Sequence, residues 1–205
     1  MSHYFENDNN VKSNERIIYV KVNDIELKFI ADNGVFSKKG LDFGTRTLLE
    51  NVNISNSNCS ILDFGCGYGP IGIYLSKKFN INVDMIDINK RAINLTLKNA
   101  ELNKVNVNAF ESNIYSNVSK KYDYIVTNPP IRVGKKVLYQ ILFEAKQHLN
   151  QNGELWLVIN KNQGAKSLFT DLKKEYNAFV VNKNKGFYII RAINNWHLVW
   201  CLIKL

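Results

Sequence analysis

The sequence is poor in the residues that cross-link, kink or anchor a chain. Its 205 residues include three cysteines and three prolines, and the cysteines form no CxxC pair and no metal-ligand spacing. So sparse and odd a number argues against a disulfide framework or a metal site and favours reduced thiols in the cytoplasm. The apolar segment 196–205 is far shorter than the ~20 residues of a membrane-spanning helix, and the polar first ten residues do not resemble a signal peptide.

Internal repeats, low-complexity tracts and linkers rich in proline or glycine are also missing. The length suits one compact domain, and 45% hydrophobic with 22% charged residues is ordinary for a globular protein. We therefore predict a core domain over residues 41–193. An N-terminal extension with a β-hairpin is expected over residues 1–40, and an atypical tail over residues 194–205.

Acidic residues are few relative to basic ones, 18 against 27, which leaves a formal net charge of +9. An excess of this size favours a polyanionic partner such as nucleic acid. The chain is also rich in lysine and asparagine, as proteins from low-GC genomes are. The charge by itself is therefore a minor argument.

Alternation of apolar and polar residues predicts a hairpin over residues 16–21 and 26–30, after which helix and strand patterns alternate. The predicted helices cover residues 42–51, 70–79, 90–103, 133–149 and 165–176. The predicted strands cover residues 60–64, 82–88, 106–110, 122–127, 154–160, 179–183 and 187–191, the last two as an antiparallel pair. This order predicts an α/β fold: a seven-stranded, mostly parallel sheet with helices on both faces, an antiparallel last strand and ligands at the carboxyl ends of the strands.

A glycine-rich turn, DFGCGYGP at residues 63–70, connects the first of these strands to its helix. Two cofactors fit it. Gly67 opens a G-x-G-x-x-G pattern and Asp87 lies twenty residues later, as in dinucleotide-binding dehydrogenases. Asp63, however, would repel a pyrophosphate and can receive the ammonium of a methionine moiety. The pattern acid-x-G-x-G-x-G therefore favours S-adenosylmethionine.

Further cofactor contacts are predicted at the ends of the next strands. Asp87 is expected to hold the ribose hydroxyls. Asn113 stands where an acid commonly contacts the adenine amine, and its amide oxygen can still accept from that amine. The full set of predicted cofactor contacts in these motifs is Asp63, Gly65, Cys66, Gly67, Gly69, Asp87, Ile88, Asn113, Ile114 and Asn128.

The predicted strand 122–127 is followed directly by Asn128-Pro129-Pro130. The motif (Asp/Asn)-Pro-Pro at this place is typical of methyltransferases that act on planar amines, whose nitrogen lone pair is conjugated with the ring. If the Asn128 side chain and the Pro129 carbonyl accept the two hydrogens, that lone pair turns towards the methyl group. Transfer then depends on alignment rather than on a strong base, and we predict that these three residues are catalytic.

Several segments resemble a known family: DNGVFSKKGLDFGTR at residues 32–46, LDFGCGYGPIG at 62–72, TNPPIRVGKK at 127–136, GELWLVI at 153–159 and KNQGA at 161–165. They are similar to RsmC-type methyltransferases, above all to their short YbxB-like relatives. The resemblance implies a Rossmann-like class I fold and methylation of the N2 amine of a guanine in small-subunit ribosomal RNA, with RNA or subunit as partner. It also implies that Phe36, Asp42 and Thr45 cap the methionine end of the cofactor.

Ile131, Arg132, Lys135 and Lys136 follow the catalytic motif and are predicted to contact the substrate. The basic side chains could hold phosphates beside an extracted base, although a solvated helix start has the same composition. Ile131 stands where adenine and protein-glutamine methyltransferases generally have an aromatic residue. Two alternatives stay open at this point: a HemK-like protein-glutamine methyltransferase and a non-catalytic RNA-binding or assembly protein.

Overall fold

A computed structural model describes residues 14–32, 40–55 and 58–195. The helices are α1 Phe43–Asn51, α2 Pro70–Phe79, α3 Lys90–Asn103, α4 Lys135–Glu144 and α5 Ala165–Leu172. The strands are β1 Arg16–Val22, β2 Ile25–Ala31, β3 Ile61–Phe64, β4 Val83–Asp87, β5 Val107–Glu111, β6 Tyr122–Thr127, β7 Leu149–Asn160, β8 Asn177–Asn184 and β9 Phe187–Ile193. The strand and helix order is the one that the sequence pattern predicts.

Seven strands form one sheet in the order β5-β4-β3-β6-β7-β9-β8. Pairing is parallel from β5 to β7, whereas β9 is antiparallel to both β7 and β8. The predicted α/β fold with an antiparallel last strand is confirmed. Since β3 lies between β4 and β6, the carboxyl ends of these three strands lie side by side at the switch point, where open α/β sheets bind ligands.

Successive strand residues point to opposite faces of the sheet and divide the core in two. Ile61 packs into one cluster, with α1, α2, α3 and the hairpin. Leu62 packs into the other cluster, with α4 and α5. Both faces of the sheet are therefore covered, and ligands reach it at the strand ends.

The hairpin β1–β2 is a separate two-stranded sheet that α3 holds in place. The Asn99 amide accepts from the Ile30 N–H at 2.7 Å and donates to the Ile30 carbonyl at 3.0 Å. One helical turn later, Asn103 makes the same two bonds with Lys28, at 3.0 Å and 2.6 Å. These amides replace the strand that the free edge of β2 lacks.

The predicted helix over residues 133–149 is wrong in extent. A 3₁₀ turn occupies Ile131–Val133, α4 begins only at Lys135, and a second 3₁₀ turn at Ala145–His148 leads directly into β7. Gly134 has φ 86° and ψ 161°, which breaks the helix at its start. At the other end, Leu149 pairs with Tyr122 of β6, so sheet pairing prevails over the helical pattern.

The predicted division of the chain into an extension, a core domain and a tail is not tested by the structure. The boundaries 1–40, 41–193 and 194–205 stay predictions, and residues 1–13 and 196–205 lie outside the described residues. Within the ranges that the structure describes, no helix is long and apolar enough to cross a membrane. In the same ranges, no cluster of histidine, cysteine and acidic side chains could hold a metal ion.

Candidate active site

Asp63 stands in β3 with a fully buried side chain. One carboxylate oxygen accepts the Gly72 N–H at 2.8 Å, and the other, Oδ1, is buried without a partner among the described residues. Burial raises the pKa of Asp63 to about 7; the Gly72 bond lowers it and the nearby Asp87 adds to the rise. A buried oxygen without a partner is unfavourable unless a donor or a cation reaches it.

The turn after β3 is open on one side. Gly65 and Gly67 have φ values of +70° and +60°, which L-residues with side chains rarely adopt, and a Cβ at either would meet no atom within 4 Å. Gly69 closes the turn with φ +95° as the N-cap of α2. The predicted glycines therefore form a backbone cradle with free space beside it.

The Cys66 side chain turns away from this space. It is buried, its Sγ lies 3.6 Å from the Thr96 hydroxyl, and burial raises its thiol pKa well above the usual value. Thr96 also donates to the Gly67 carbonyl at 3.0 Å, a contribution from α3 that the sequence did not reveal. At this position the turn presents backbone rather than the thiol.

Asp87 ends β4 beside the cradle. Its two oxygens accept the N–H groups of Gly67 and Asn89, each at 2.9 Å, and burial raises its pKa. Lone pairs remain on both oxygens for hydroxyl donors. The next residue, Ile88, is 37% exposed and offers an apolar surface at the same edge.

Asn113 and Ile114 follow β5 in a short turn. The Ser112 backbone donates to the Asp87 carbonyl at 2.9 Å, and its hydroxyl donates to the Ile114 carbonyl at 2.9 Å. Asn113 is exposed, and Ile114 is half-buried with φ 52°. The turn thereby lies directly beside Asp87, as the predicted adenine contact requires.

Asn128 follows β6, next to β3. Its side-chain Nδ2 donates to the Thr45 hydroxyl at 2.9 Å and lies 3.4 Å from Asp42 Oδ1. Pro129 is buried and Pro130 half-buried with ψ 93°, so the backbone stays extended through the motif. Asp42 and Thr45 are predicted to contact the cofactor, and the structure places both against the side-chain amide of Asn128.

The predicted substrate residues lie just beyond this motif. Ile131 is half-buried, whereas Arg132, Lys135 and Lys136 are exposed on the 3₁₀ turn and the first turn of α4. The Lys135 ammonium lies 5.0 Å from the centre of the Tyr139 ring. The remaining predicted contact, Phe36, lies outside the described residues.

An aromatic pair beside α1 was missed in the sequence. The rings of Phe43 and Phe187 are 5.6 Å apart, and the Lys185 ammonium lies 5.1 Å from the centre of the Phe43 ring. A Cβ on Gly44 would lie 2.9 Å from the Phe187 ring and 3.2 Å from Asp42 Oδ1. The turn between β8 and β9 thus reaches the site. This follows from the insertion of β9 between β7 and β8, which the sequence does not show.

The arrangement combines a backbone cradle with a buried acid, Asp63, a half-buried acid, Asp87, and, on the neighbouring strand β6, the amide of Asn128. The family model described as methyltransferase small domain matches residues 26–191. The chain belongs to this family. The predicted methyltransferase class is therefore confirmed, and the cradle and the Asn128 motif stand in a methyltransferase domain.

Two relatives show how far the likeness of this methyltransferase extends. It is 43% identical over 195 residues to YbxB, an uncharacterized protein of Bacillus subtilis (strain 168), across 93% of this chain and 97% of YbxB. It is 35% identical over 179 residues to ribosomal RNA small subunit methyltransferase C of Colwellia psychrerythraea (strain 34H), across 84% of this chain and 49% of that protein. The methyltransferase thus spans nearly all of YbxB and about half of RsmC, and the predicted likeness to both is confirmed.

A solved structure agrees with the fold. The T. thermophilus 16S rRNA N2 G1207 methyltransferase (RsmC), in complex with AdoMet and guanosine, superposes with a TM-score of 0.78 at 23% identity. The match covers 90% of this methyltransferase and 52% of that chain. The predicted Rossmann-like methyltransferase fold is confirmed.

Proposed function

We propose that the protein transfers a methyl group from S-adenosylmethionine to the N2 amine of a guanine in ribosomal RNA, with the 16S RNA of the small subunit as its target. One observation carries the proposal: Asn128, with its amide NH₂ held by Thr45 and Asp42, lies at the same sheet edge as the buried Asp63 and the half-buried Asp87. Such an edge is where an amine acceptor and a sulfonium donor can meet.

The residues present fit the methyl donor. S-adenosylmethionine, when bound, supplies an activated methyl group on its sulfonium. Oδ1 of Asp63, which has no partner among the described residues, would take the methionine ammonium, and the open cradle at Gly65 and Gly67 would admit the methionine chain of the donor against the backbone. Asp87 has lone pairs that would accept from the ribose hydroxyls, and Ile88 would give the adenine an apolar face.

Asn128 orients the acceptor. Its side-chain oxygen and the Pro129 carbonyl accept the two hydrogens of the guanine amine, which localises the nitrogen lone pair. The strand end and the two prolines fix both oxygens before the substrate arrives, so little reorganisation is needed during transfer. As the new carbon–nitrogen bond forms, the bond from the methyl carbon to sulfur breaks and S-adenosylhomocysteine leaves; the amine then loses a proton to water.

RNA as the substrate is supported by charge and by relatives. The chain carries a net charge of +9, and exposed Arg132, Lys135 and Lys136 stand directly after the catalytic motif. Relatives about twice as long are named ribosomal RNA small subunit methyltransferases. A base inside folded RNA must leave its stack to be methylated, and flanking phosphates need holding while it does. Methylation of ribosomal RNA would take place in the cytoplasm, where ribosomes assemble.

The test is transfer of tritiated methyl from S-adenosylmethionine to small subunits, naked 16S RNA, naked 23S RNA and release factor, offered side by side. We expect label in 16S RNA or in the subunit that digests to N2-methylguanosine. Asn128→Ala serves as the inactive control for contaminating methyltransferases. Label in release factor alone would move the protein to the glutamine class, and donor binding without label in any acceptor would contradict the proposed substrate.

A further inference from the structure

The side-chain amide of Asn128 makes hydrogen bonds to residues outside the Asn-Pro-Pro motif. Thr45 and Asp42 belong to the start of α1, more than eighty residues earlier in the chain, and they contact the same nitrogen at 2.9 Å and 3.4 Å. Thr45 is 3% exposed, so its hydroxyl is held in a packed environment rather than in water. The two contacts cross from the face of the sheet covered by α1 to the end of β6.

We propose that Asp42 and Thr45 are positioning residues that set which end of the Asn128 amide faces the acceptor. This inference rests on the proposed function, in which the Asn128 oxygen accepts a hydrogen of the target amine. An ionised carboxylate can only accept hydrogen bonds, so Asp42 requires the NH₂ group on its side. The oxygen of Asn128 is thereby directed away from α1 and towards the substrate.

Asp42 is itself fixed by the helix that it begins. As the N-cap of α1, its Oδ1 accepts the Thr45 N–H at 3.1 Å, and the same oxygen faces the Asn128 amide. Capping normally stabilises a helix by about 1 kcal/mol. Here the cap also determines where a negative charge stands relative to the catalytic motif, so folding of α1 and order in the site are coupled.

Gly44 leaves room for this arrangement. A Cβ there would lie 3.2 Å from Asp42 Oδ1 and 2.9 Å from the ring of Phe187. Any side chain would therefore press on Asp42 and on β9 at once. The sequence Asp42-Phe43-Gly44-Thr45 thus directs a capping carboxylate and a buried hydroxyl at the end of β6, with a glycine between them that leaves space for Phe187 of β9.

The first arm of the test compares three variants in α1. Thr45→Val keeps the shape but removes the hydroxyl, and we expect kcat to fall about tenfold, the effect of one hydrogen bond. Thr45→Ser keeps the hydroxyl and should recover most of that loss. Thr47→Val is the matched control, because the Thr47 hydroxyl is buried in the same helix but donates to the Phe43 carbonyl at 2.8 Å.

The second arm separates positioning from cofactor binding. Asp42→Ser keeps a good N-cap residue while removing the carboxylate. We expect kcat to fall several-fold, with the Kd for S-adenosylmethionine and the KM for RNA within about twofold of wild type. Titration calorimetry gives the Kd, steady-state transfer gives kcat and KM, and thermal unfolding checks the fold.

Either of two results would overturn the inference. If Thr45→Val transfers methyl at the wild-type rate, or if Asp42→Ser weakens cofactor binding at unchanged kcat, these residues do not position Asn128. Failure of the proposed function is a separate outcome, because then the wild-type protein would transfer no label to ribosomal RNA, or Asn128→Ala would be as active as the wild type. An inactive Asn128→Ala beside a fully active Thr45→Val would reject only the positioning role.

Discussion

At the scale of single residues, the buried carboxyl of Asp63 lowers stability when it is charged, and it is proposed to receive the cofactor ammonium. Its folded pKa of about 7 lies well above the ordinary 3.8 because the carboxyl is buried. A raised carboxyl pKa contributes stability that is full at low pH and is lost as the pH rises through about 7. The protein without cofactor should therefore be less stable at pH 8 than its Asp63→Asn variant, as measured by thermal unfolding.

The same residue predicts a pH dependence of cofactor binding. Between pH 6 and 7.5 the methionine amine stays mostly protonated, while Asp63 goes from mostly neutral to mostly charged. We expect calorimetry to show affinity rising several-fold over this interval in the wild type and staying flat in Asp63→Asn. A parallel rise in the variant would assign the pH dependence to another group.

Asn128 gives the third prediction at this scale. Replacing it with alanine removes the oxygen that is proposed to accept from the amine but leaves the cradle at Gly65 and Gly67 untouched. Transfer should fall at least ~100-fold, while the Kd for S-adenosylmethionine stays within a few-fold, since the lost interaction is made in the transition state. Calorimetry and single-turnover transfer measure the two quantities, and a fully active variant would remove Asn128 from the mechanism.

At the scale of elements, α3 connects the hairpin to the glycine-rich turn after β3 through two asparagines. Asn103 bonds Lys28 on the hairpin and the Asn99 carbonyl of its own helix, whereas Asn99 bonds Ile30 and also donates to the Tyr68 carbonyl at 2.8 Å. Tyr68 belongs to the glycine-rich turn. Both side chains are amides that bind the hairpin, but only Asn99 also binds the glycine-rich turn.

Alanine at each position should separate these roles. Asn103→Ala leaves backbone groups of β2 without partners, and we expect a loss of about 1–3 kcal/mol in the free energy of unfolding with cofactor binding largely kept. Asn99→Ala should cost a similar amount and also weaken cofactor binding. Urea unfolding and calorimetry measure both effects, and equal cofactor affinities in the two variants would disprove the link through Tyr68.

The elements also show what a sequence pattern can and cannot reveal. Hydrophobic alternation and the punctuation by glycine and proline were enough to predict the order of strands and helices, because these signals are local. Residues 145–149 were predicted as helix since their pattern is helical, but Leu149 pairs with β6. A pairing partner that lies far along the chain leaves no local signal.

The same limit applies to the site. The placement of Asp63 and Asp87 at one sheet edge could be predicted because each lies near the end of its own strand. The contact of Thr45 with Asn128 bridges 83 residues and depends on how α1 crosses the sheet. Phe187 reaches the site only because β9 is inserted between β7 and β8. Such neighbours follow from topology, which a single sequence does not specify.

At the scale of the whole molecule, some of the positive charge stands where it destabilises the helix that carries it. Lys135 and Lys136 stand in the first turn of α4, where cations oppose the helix dipole at a cost of about 0.3–1 kcal/mol each. Lys77 and Lys78 stand in the last turn of α2, where the dipole favours them. Because α2 runs from the carboxyl edge of the sheet to the amino edge, the second pair lies away from the site.

The two pairs test whether RNA binding depends on net charge or on where the charge stands. Lys135→Gln/Lys136→Gln and Lys77→Gln/Lys78→Gln each remove two positive charges. We expect the α4 double variant to raise the KM for RNA, to lower the salt slope of binding by up to about 2, and to unfold at a slightly higher temperature. The α2 double variant should keep the KM and unfold at a slightly lower temperature. Equal losses of RNA affinity in both double variants would show that the charge acts over the whole surface. A loss confined to the α4 variant would mean that Lys135 and Lys136 bind the RNA backbone beside Asn128 at a cost in helix stability.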